Sequence, residues 1–400
     1  MATAGHGRDH GHNHTSLPEG VCYVDSDAQL SALVDRIKAV QTSSGSFRCC
    51  LDTEADSLHH YQEKLCLIQL AFGDELVLID PLAVPEVSSL IEVLDAGEVW
   101  FHGADYDLTL LRRTYGWTPQ VVRDTQIAAR LVGSRQFGLA ALIENHFGKT
   151  LSKASQKADW SKRPLPSVML HYAVDDVRYL LKLADILQGR LDEKNRRQWF
   201  VESCSNLRST VAARSTQPKE DPWRVQGSGK LHRTGLAFLR DLWHWRDAIA
   251  RERDVPCFRI ISNKQLIDLA IALEADEEVN PPAGWRPKWK KDFEAILQSI
   301  RDGVNLHAWP ERLRPKGTRL SDLARDHLDK LCQVREVIAV ELDIEPSLVG
   351  ARGTLEQVVG SPEGLNELLE WQKVLLGSTL VRARNELGFD GSPEAALQAS

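Results

Sequence analysis

The sequence predicts an α/β domain built on a mixed sheet, followed by two all-helical modules. Short, β-rich apolar runs around 47–54, 65–72, 75–79 and 98–102 are interleaved with helical periodicity up to about residue 213. A polar stretch carrying Pro218, Pro222, Gly227 and Gly229 then breaks the pattern and reads as a linker. Beyond it every periodic segment reads as a short helix. Four hundred residues exceed one typical core, so two or three domains are expected.

Composition narrows the class. Hydrophobic content of 42% and charged content of 26% are those of a soluble globular protein. No apolar run reaches the length needed to span a bilayer, and no signal-peptide core follows the first residues. Seven cysteines, with no C-x-x-C pair, argue against a disulfide framework or a zinc ribbon and fit a reducing cytoplasm. The net charge of −7 does not advertise a nucleic-acid binder. Yet 208–264 holds twelve Lys/Arg against six Asp/Glu, so the average conceals a basic middle.

In chain order, 1–20 is polar and Gly/His-rich without periodicity, a tail expected to be disordered despite His6, His10, His12 and His14. Leu30, Leu33, Val34 and Ile37 give 28–40 helical spacing, and the polar run 43–46 reads as a turn. Gly73-Asp74 between two apolar runs predicts a β-hairpin of 65–72 and 75–79. A helix over 81–94, a strand at 98–102 and a helix from Gly103 to about Tyr115 follow. Asp124 reads as the N-cap of a helix over 125–132, and Gly138 precedes one ending near Gly148. Residues 167–213 read as two helices breaking near Gly189. After the linker, helices are expected at 235–253, 263–273, 290–301, 320–342, 354–359 and 365–380.

The chemistry begins at Leu51-Asp52-Thr53-Glu54. In a strand, Asp52 and Glu54 share one face while Leu51 and Thr53 point the other way. Two adjacent carboxylates repel unless a cation lies between them or one keeps its proton, and hard oxygen donors suit Mg²⁺ or Mn²⁺. Downstream, Asp105 and Asp107 sit where a strand meets a helix, a position shared by functional groups and by simple caps. Tyr172 lies one helical turn before Asp176, with Asp175 nearly as well placed, so spacing alone does not choose between these aspartates. Four carboxylates drawn from three separate elements, with a tyrosine beside the last, suit two-metal phosphodiester hydrolysis.

Asp52-x-Glu54, His102-x-x-x-x-Asp107 and Tyr172-x-x-x-Asp176 stand in the order of the DEDD exonucleases of the Tyr subgroup. Leu65-Cys66-Leu67-Ile68-Gln69-Leu70, Asp124-Thr125-Gln126 and Ala158-Asp159-Trp160-Ser161-Lys162-Arg163-Pro164-Leu165 narrow the resemblance to the ribonuclease D family, over roughly 21–213. It implies a ribonuclease H-like exonuclease domain and selects Asp107 over Asp105 and Asp176 over Asp175. It also implies that Asp52, Glu54, Asp107 and Asp176 hold two divalent ions and that Tyr172 orients the attacking water. His102, Gln69, Lys157 and Arg163 would then line the substrate groove. One departure is local: the family's Tyr-Tyr-Pro run is replaced by His59-His60-Tyr61.

Leu242-Trp243-His244-Trp245-Arg246-Asp247 with Ala250-Arg251-Glu252, Asp254-Val255-Pro256 and Phe258 to Asn263 resembles an HRDC domain, a module that binds nucleic acid. Val334-Arg335-Glu336, Ile338-Ala339, Glu341-Leu342-Asp343-Ile344 and Leu348-Val349 resemble a weaker second copy. The resemblances imply an exonuclease domain over 21–213, a linker at 214–229, an HRDC domain over 230–305, a linker at 306–317 and a second HRDC-like domain over 318–390. Trp285-Arg286-Pro287-Lys288-Trp289-Lys290-Lys291 interleaves aromatics with cations, a pattern shared by single-strand binding and by plain inter-helix packing. Trp243 and Trp245 are expected in the core. The chain is thus expected to be a cytoplasmic, monomeric 3′→5′ exoribonuclease acting on RNA 3′ ends such as tRNA precursors, with no membrane association. The rivals are the same chemistry on DNA and a non-catalytic RNA-binding scaffold.

Overall fold

The computed structural model describes residues 17–45, 47–215, 220–281, 285, 287–303, 310–312 and 320–389. The expected histidine tail up to residue 16, and most of the 306–317 linker, lie outside the described residues. The chain divides into two compact units. One holds the first 55 residues, 65–214 and the segment from 318 onward; the other holds 56–64 and 215–317.

The first unit carries a mixed six-stranded sheet, ordered β1-β4-β3-β2-β5-β6. Its strands are β1 (Val21–Val24), β2 (Arg48–Ala55), β3 (Leu65–Phe72), β4 (Glu75–Ile79), β5 (Glu98–Phe101) and β6 (Val121–Asp124). Only β3 runs against its neighbours, because the Gly73-Asp74 turn returns the chain at once, pairing Phe72 with Glu75. The expected hairpin is therefore present. Two strands escaped the sequence reading, β1 and β6. They are the two edge strands, each of four residues and each paired to a single neighbour.

Helices α1 (Asp27–Ser44), α2 (Ser88–Asp95) and α3 (Asp105–Tyr115) cover one face, packing on Cys49, Leu51, Leu70 and Val99. Helices α4 (Thr125–Leu131), α5 (Leu139–Phe147), α6 (Ser167–Arg178), α7 (Leu180–Glu193) and α8 (Arg197–Ala213) lie on the other side, with Cys50, Ala71 and Trp100 in their shared core. The helix expected over 81–94 is shorter, beginning only at Ser88. The amides of Leu82, Ala83 and Val84 all turn back onto Asp80, and Pro85 has no N–H to continue a helix. The two helices expected over 167–213 are three. The breaks fall at Tyr179 and at Asn195, which adopts a left-handed φ of 55°, while Gly189 sits exposed inside α7. An exposed helical glycine costs only about 1 kcal/mol, too little to end a helix packed along Leu183, Leu187 and Leu191.

The second unit contains α9 (Arg233–Glu252), α10 (Asn263–Glu274) and α11 (Pro287–Gly303). Ser262 and Gln265 close a capping box at the start of α10. Arg246, almost wholly buried, donates to the Ile261 carbonyl at 3.1 Å and to Asn263 Oδ1 at 2.8 Å. Trp245 packs on Phe293 at 5.2 Å between ring centroids, and Trp285 on the same ring at 5.4 Å. Trp285 is thereby committed to packing, whereas Trp289 lies under the Arg253 guanidinium at 3.7 Å. The segment 56–64 also belongs to this unit. Tyr61 donates through its hydroxyl to Asp247 at 2.8 Å and through its amide to Asp254 at 3.1 Å, and His60 Nδ1 lies 2.6 Å from Asp254. The residues that depart from the family run are thus the ones α9 and its end grip.

The first unit is completed by α12 (Asp322–Leu342), α13 (Pro346–Val349), α14 (Arg352–Gly360) and α15 (Glu370–Glu386). Arg335 donates to the Gly350 carbonyl at 3.0 Å, the same fifteen-residue reach as Arg246 to Ile261. Asp254 and Asp343, at corresponding places after the long helix of each module, both have left-handed φ, 47° and 50°. This helical module packs on α4 and α8. Arg130 bonds Glu345, Arg135 bonds Asp343, and Trp199 stacks on Trp371 at 4.8 Å. Gly133, with φ of 90°, is needed there, since a Cβ would meet the Asp343 carbonyl oxygen at 2.4 Å. Buried Arg196 bridges the Leu131 and Leu342 carbonyls at 2.6 and 2.7 Å. Arg196→Met keeps the bulk but leaves two carbonyls unpaired. It should lower stability by about 2–4 kcal/mol in urea unfolding; an unchanged midpoint would show that the bridge contributes nothing.

Candidate active site

Strand β2 is paired on both sides, to β3 and β5, so its side-chain alternation is fixed. Cys50, Asp52 and Glu54 face the α6 side, and Cys49, Leu51 and Thr53 face the α3 side. Helix α6 presents Met169, Leu170, Ala173, Val174 and Val177 to the sheet, and that stripe sets its rotation. Tyr172 and Asp176 flank the stripe and emerge beside the strand carboxylates. Asp52, Glu54 and Asp176 converge, with one carboxylate oxygen from each lying within 4.8 Å of the others.

The open choices between neighbouring aspartates are resolved by their partners. Asp175 pairs with Arg178 at 3.3 Å and is not one of the three converging carboxylates. Asp105 is exposed and bonded to Arg214. Asp107 is buried and accepts from the Thr53 hydroxyl at 2.5 Å. It stands outside the group of three but is, after burial, the first charge acting on Asp52. Thr53, the residue between the two strand carboxylates, was not singled out from sequence. Its signal was its position on the opposite strand face, toward the helix that carries Asp107.

The electrostatics follow from burial without a counter-charge. Burial first, then Asp107, Asp176 and Glu54, holds the Asp52 carboxyl well above the usual carboxylate range. Burial, with Asp176 and Asp107, pushes Glu54 up to about 9. Asp176 rises to about 7 by burial, opposed by the bond from Tyr172. Asp107 rises to about 7 by burial, opposed by Thr53. The Tyr172 phenol is driven far above its ordinary value by burial and then by Asp176, Glu54 and Asp52. It therefore keeps its proton and acts as a donor. Its ring lies 6.0 Å from that of Trp160. A set of hard oxygen donors, each resisting ionisation alone, fits divalent cations: bound cations replace the missing counter-charge.

The residues expected to line a groove occupy different settings. The His102 ring nitrogen Nδ1 lies 2.9 Å from Thr125 Oγ1, whose own proton goes to the Phe101 carbonyl, so the histidine is the donor. Burial holds its imidazole below the usual value. Asp124, the N-cap of α4, accepts from the amides of Gly103, Ala104 and Gln126 and pins the turn that follows His102. Lys157 is exposed. Arg163 clasps Asp80 through two nitrogens at 2.5 and 2.7 Å and also donates to the Cys66 and Trp160 carbonyls. Burial works against the Asp80 carboxylate, but Arg163 and Tyr23 outweigh it and hold it below the usual range. Gln69 is fully buried, opposite Asp52 across the β2–β3 ladder.

The model of a 3′–5′ exonuclease domain matches residues 21–192, and that of an HRDC domain matches 235–279. Ribonuclease D of Xanthomonas oryzae pv. oryzae is 30% identical over 352 residues, 86% of this chain and 94% of that protein. The chain belongs to the ribonuclease D family. Another family member, from Gluconacetobacter diazotrophicus, is 28% identical over 385 residues, covering 92% of this chain and 95% of that protein. Among solved structures, ribonuclease D of Escherichia coli, described as an exoribonuclease involved in structured RNA processing, superposes with a TM-score of 0.67 at 24% identity. It covers 91% of this chain and 98% of that one. A Bifidobacterium adolescentis protein gives 0.71 at 24% identity, over 94% and 99%. The ribonuclease D fold, with its mixed-sheet exonuclease domain and HRDC domain, is thus established here.

Groups whose folded pKa is raised bind more protons folded than unfolded between about pH 4 and 9, so stability falls as pH rises through that window. The chelator-treated protein should therefore lose thermal stability from pH 5 to pH 9. Mn²⁺ should restore it, more at pH 8.5 than at pH 5.5. Asp176→Asn should flatten both dependences in calorimetry. A Mn²⁺ effect independent of pH would count against the carboxylate cluster as the binding site.

Proposed function

We propose that this enzyme trims the 3′ ends of structured RNA, with tRNA precursors as the expected substrates, using two divalent cations, Mg²⁺ or Mn²⁺. It is a 3′→5′ exoribonuclease. The observation that carries the two-ion reading is the convergence of Asp52, Glu54 and Asp176 beneath the Tyr172 hydroxyl. In that reading Glu54, Asp176 and Asp52 hold one ion, and Asp52 with Asp107 the other. Cations held there supply charge neutralisation at the attacking water and the departing 3′-oxygen.

The chain's own residues have narrower roles. Tyr172, whose phenol donates to Asp176, would orient the attacking water through its hydroxyl oxygen. Thr53 keeps Asp107 from swinging away. Water adds to the terminal phosphorus, the P–O3′ bond breaks, and a 5′-mononucleotide leaves while the shortened RNA keeps a 3′-hydroxyl. The exposed Lys157 would meet the RNA backbone, and His102 the terminal nucleotide. The helical modules would hold the RNA body. The equal Arg-to-carbonyl reach and the matched left-handed aspartates support reading 318–390 as a second HRDC-like copy. A monomer working in the cytoplasm completes this reading, on the strength of the family resemblance.

Asp52→Ala and Asp176→Asn should each slow removal of nucleotides from a 3′-labelled tRNA precursor by roughly a thousand-fold or more. RNA affinity, measured by filter binding, should stay within about threefold. Near-full activity in either variant would refute the site, and equal shortening of DNA and RNA oligonucleotides of one sequence would refute RNA as the preferred substrate.

A further inference from the structure

Gln69 is out of place chemically. It sits in the middle of β3, pairs in register with Asp52 on one side and Leu78 on the other, and has no exposed surface. Its strand neighbours on the same face, Leu67 and Ala71, are apolar, and so are the α6 residues covering that face, Ala173 and Val174. Neither its amide nitrogen nor its amide oxygen has a hydrogen-bond partner. Burying an amide with its hydrogen bonds unmade is unfavourable for each unpaired group. A leucine or methionine would fill the same space without that cost. The glutamine therefore has a use that the ion-free arrangement does not display.

The register indicates that use. Residues directly opposite across an antiparallel pair project to the same face with Cβ atoms about 5 Å apart. Gln69 is thus the residue of β3 directly opposite Asp52, and its amide lies on the face beneath α6. We propose that Gln69 is a positioning residue for Asp52, donating its amide N–H to the Asp52 carboxylate and so fixing its orientation toward the divalent ions. This rests on the reading of Asp52 as an ion ligand. A neutral amide suits that place, because a lysine would compete with the cations and a glutamate would add another anion to the crowd. Partners that orient a carboxylate ligand typically contribute ten- to a hundred-fold to metal affinity. Gln69 is then no substrate contact, and its burial is what its role requires.

The test replaces Gln69 by methionine, and in parallel by leucine, and measures Mn²⁺ binding by electron paramagnetic resonance beside the wild type and Asp52→Asn. Both variants should bind Mn²⁺ ten- to a hundred-fold more weakly, while the chelator-treated proteins unfold at the same temperature as the wild type or higher. Exonuclease turnover should return to within about threefold of wild type at saturating Mn²⁺, with the Mn²⁺ concentration for half-activity raised in proportion. Affinity within twofold of wild type in either folded variant would overturn the proposal, as would a turnover defect that excess Mn²⁺ does not relieve. If instead the wild type and Asp52→Asn bind Mn²⁺ equally, it is the ion-ligand reading of Asp52 that fails, and the Gln69 assignment falls with it.

Discussion

Repulsion among carboxylates buried under one helix is the constraint around which the first unit is arranged. Asp52 and Glu54 share a strand face by the alternation of β2, and α6 lowers Asp176 onto them because its apolar stripe seals the same surface. Each group is hard to ionise there, since water has been removed and like charges are near. No lysine or arginine is among the leading influences on these carboxylates. Arg178 is bonded to Asp175, Arg214 to Asp105 and Arg163 to Asp80. Each of these arginines is tied to another carboxylate, and the cluster is left without a counter-charge of its own.

Such a cluster survives only on a frame that cannot relax away from it. β2 lies inside the sheet, hydrogen-bonded on both sides. Asp107 is restrained by Thr53, and the junction from which α3 starts is restrained by the three amides bound to Asp124. Those restraints come from elements far apart in sequence, so loosening one leaves the others in place. Pre-organisation of this kind is what lets an ion bind without first assembling its ligands.

The site was legible in the chain to the extent that it is local. Asp52 and Glu54 could be paired because strand period is two, and Tyr172 with Asp176 because helical neighbours are four apart. Whether Asp107 or Asp105, and Asp176 or Asp175, faced inward depended on partners distant in sequence: Thr53 for one, Arg214 and Arg178 for the rejected alternatives. Residue type misleads most where partners are remote. Arg163 looks like a phosphate contact until Asp80, 83 residues away, is found beneath it. Gln69 looks like a groove residue until its burial is known, because a glutamine in an apolar run gives no sign of which face will be covered. The same holds for β1 and β6, edge strands fixed by the neighbours they pair with, β4 and β5.

The helical modules show one solution used twice, and the physical reason lies at the end of a helix. Asp254 and Asp343 each turn the chain with a left-handed backbone just after a long helix, where exposed carbonyls already concentrate negative charge. A carboxylate there is unfavourable unless donors approach it. Asp254 takes the Tyr61 amide and the His60 ring, inside the second unit; Asp343 takes Arg135, inside the first. In both cases the donor belongs to a loop of the exonuclease region, 56–64 in one and 133–135 in the other. The first of these loops begins at Asp56, directly after β2 and two residues beyond Glu54. A helix end that needs a donor, and a loop that supplies one, fix each other's conformation. The strand bearing Asp52 and Glu54 therefore continues into a segment whose shape is set by its hydrogen bonds to Asp247 and Asp254.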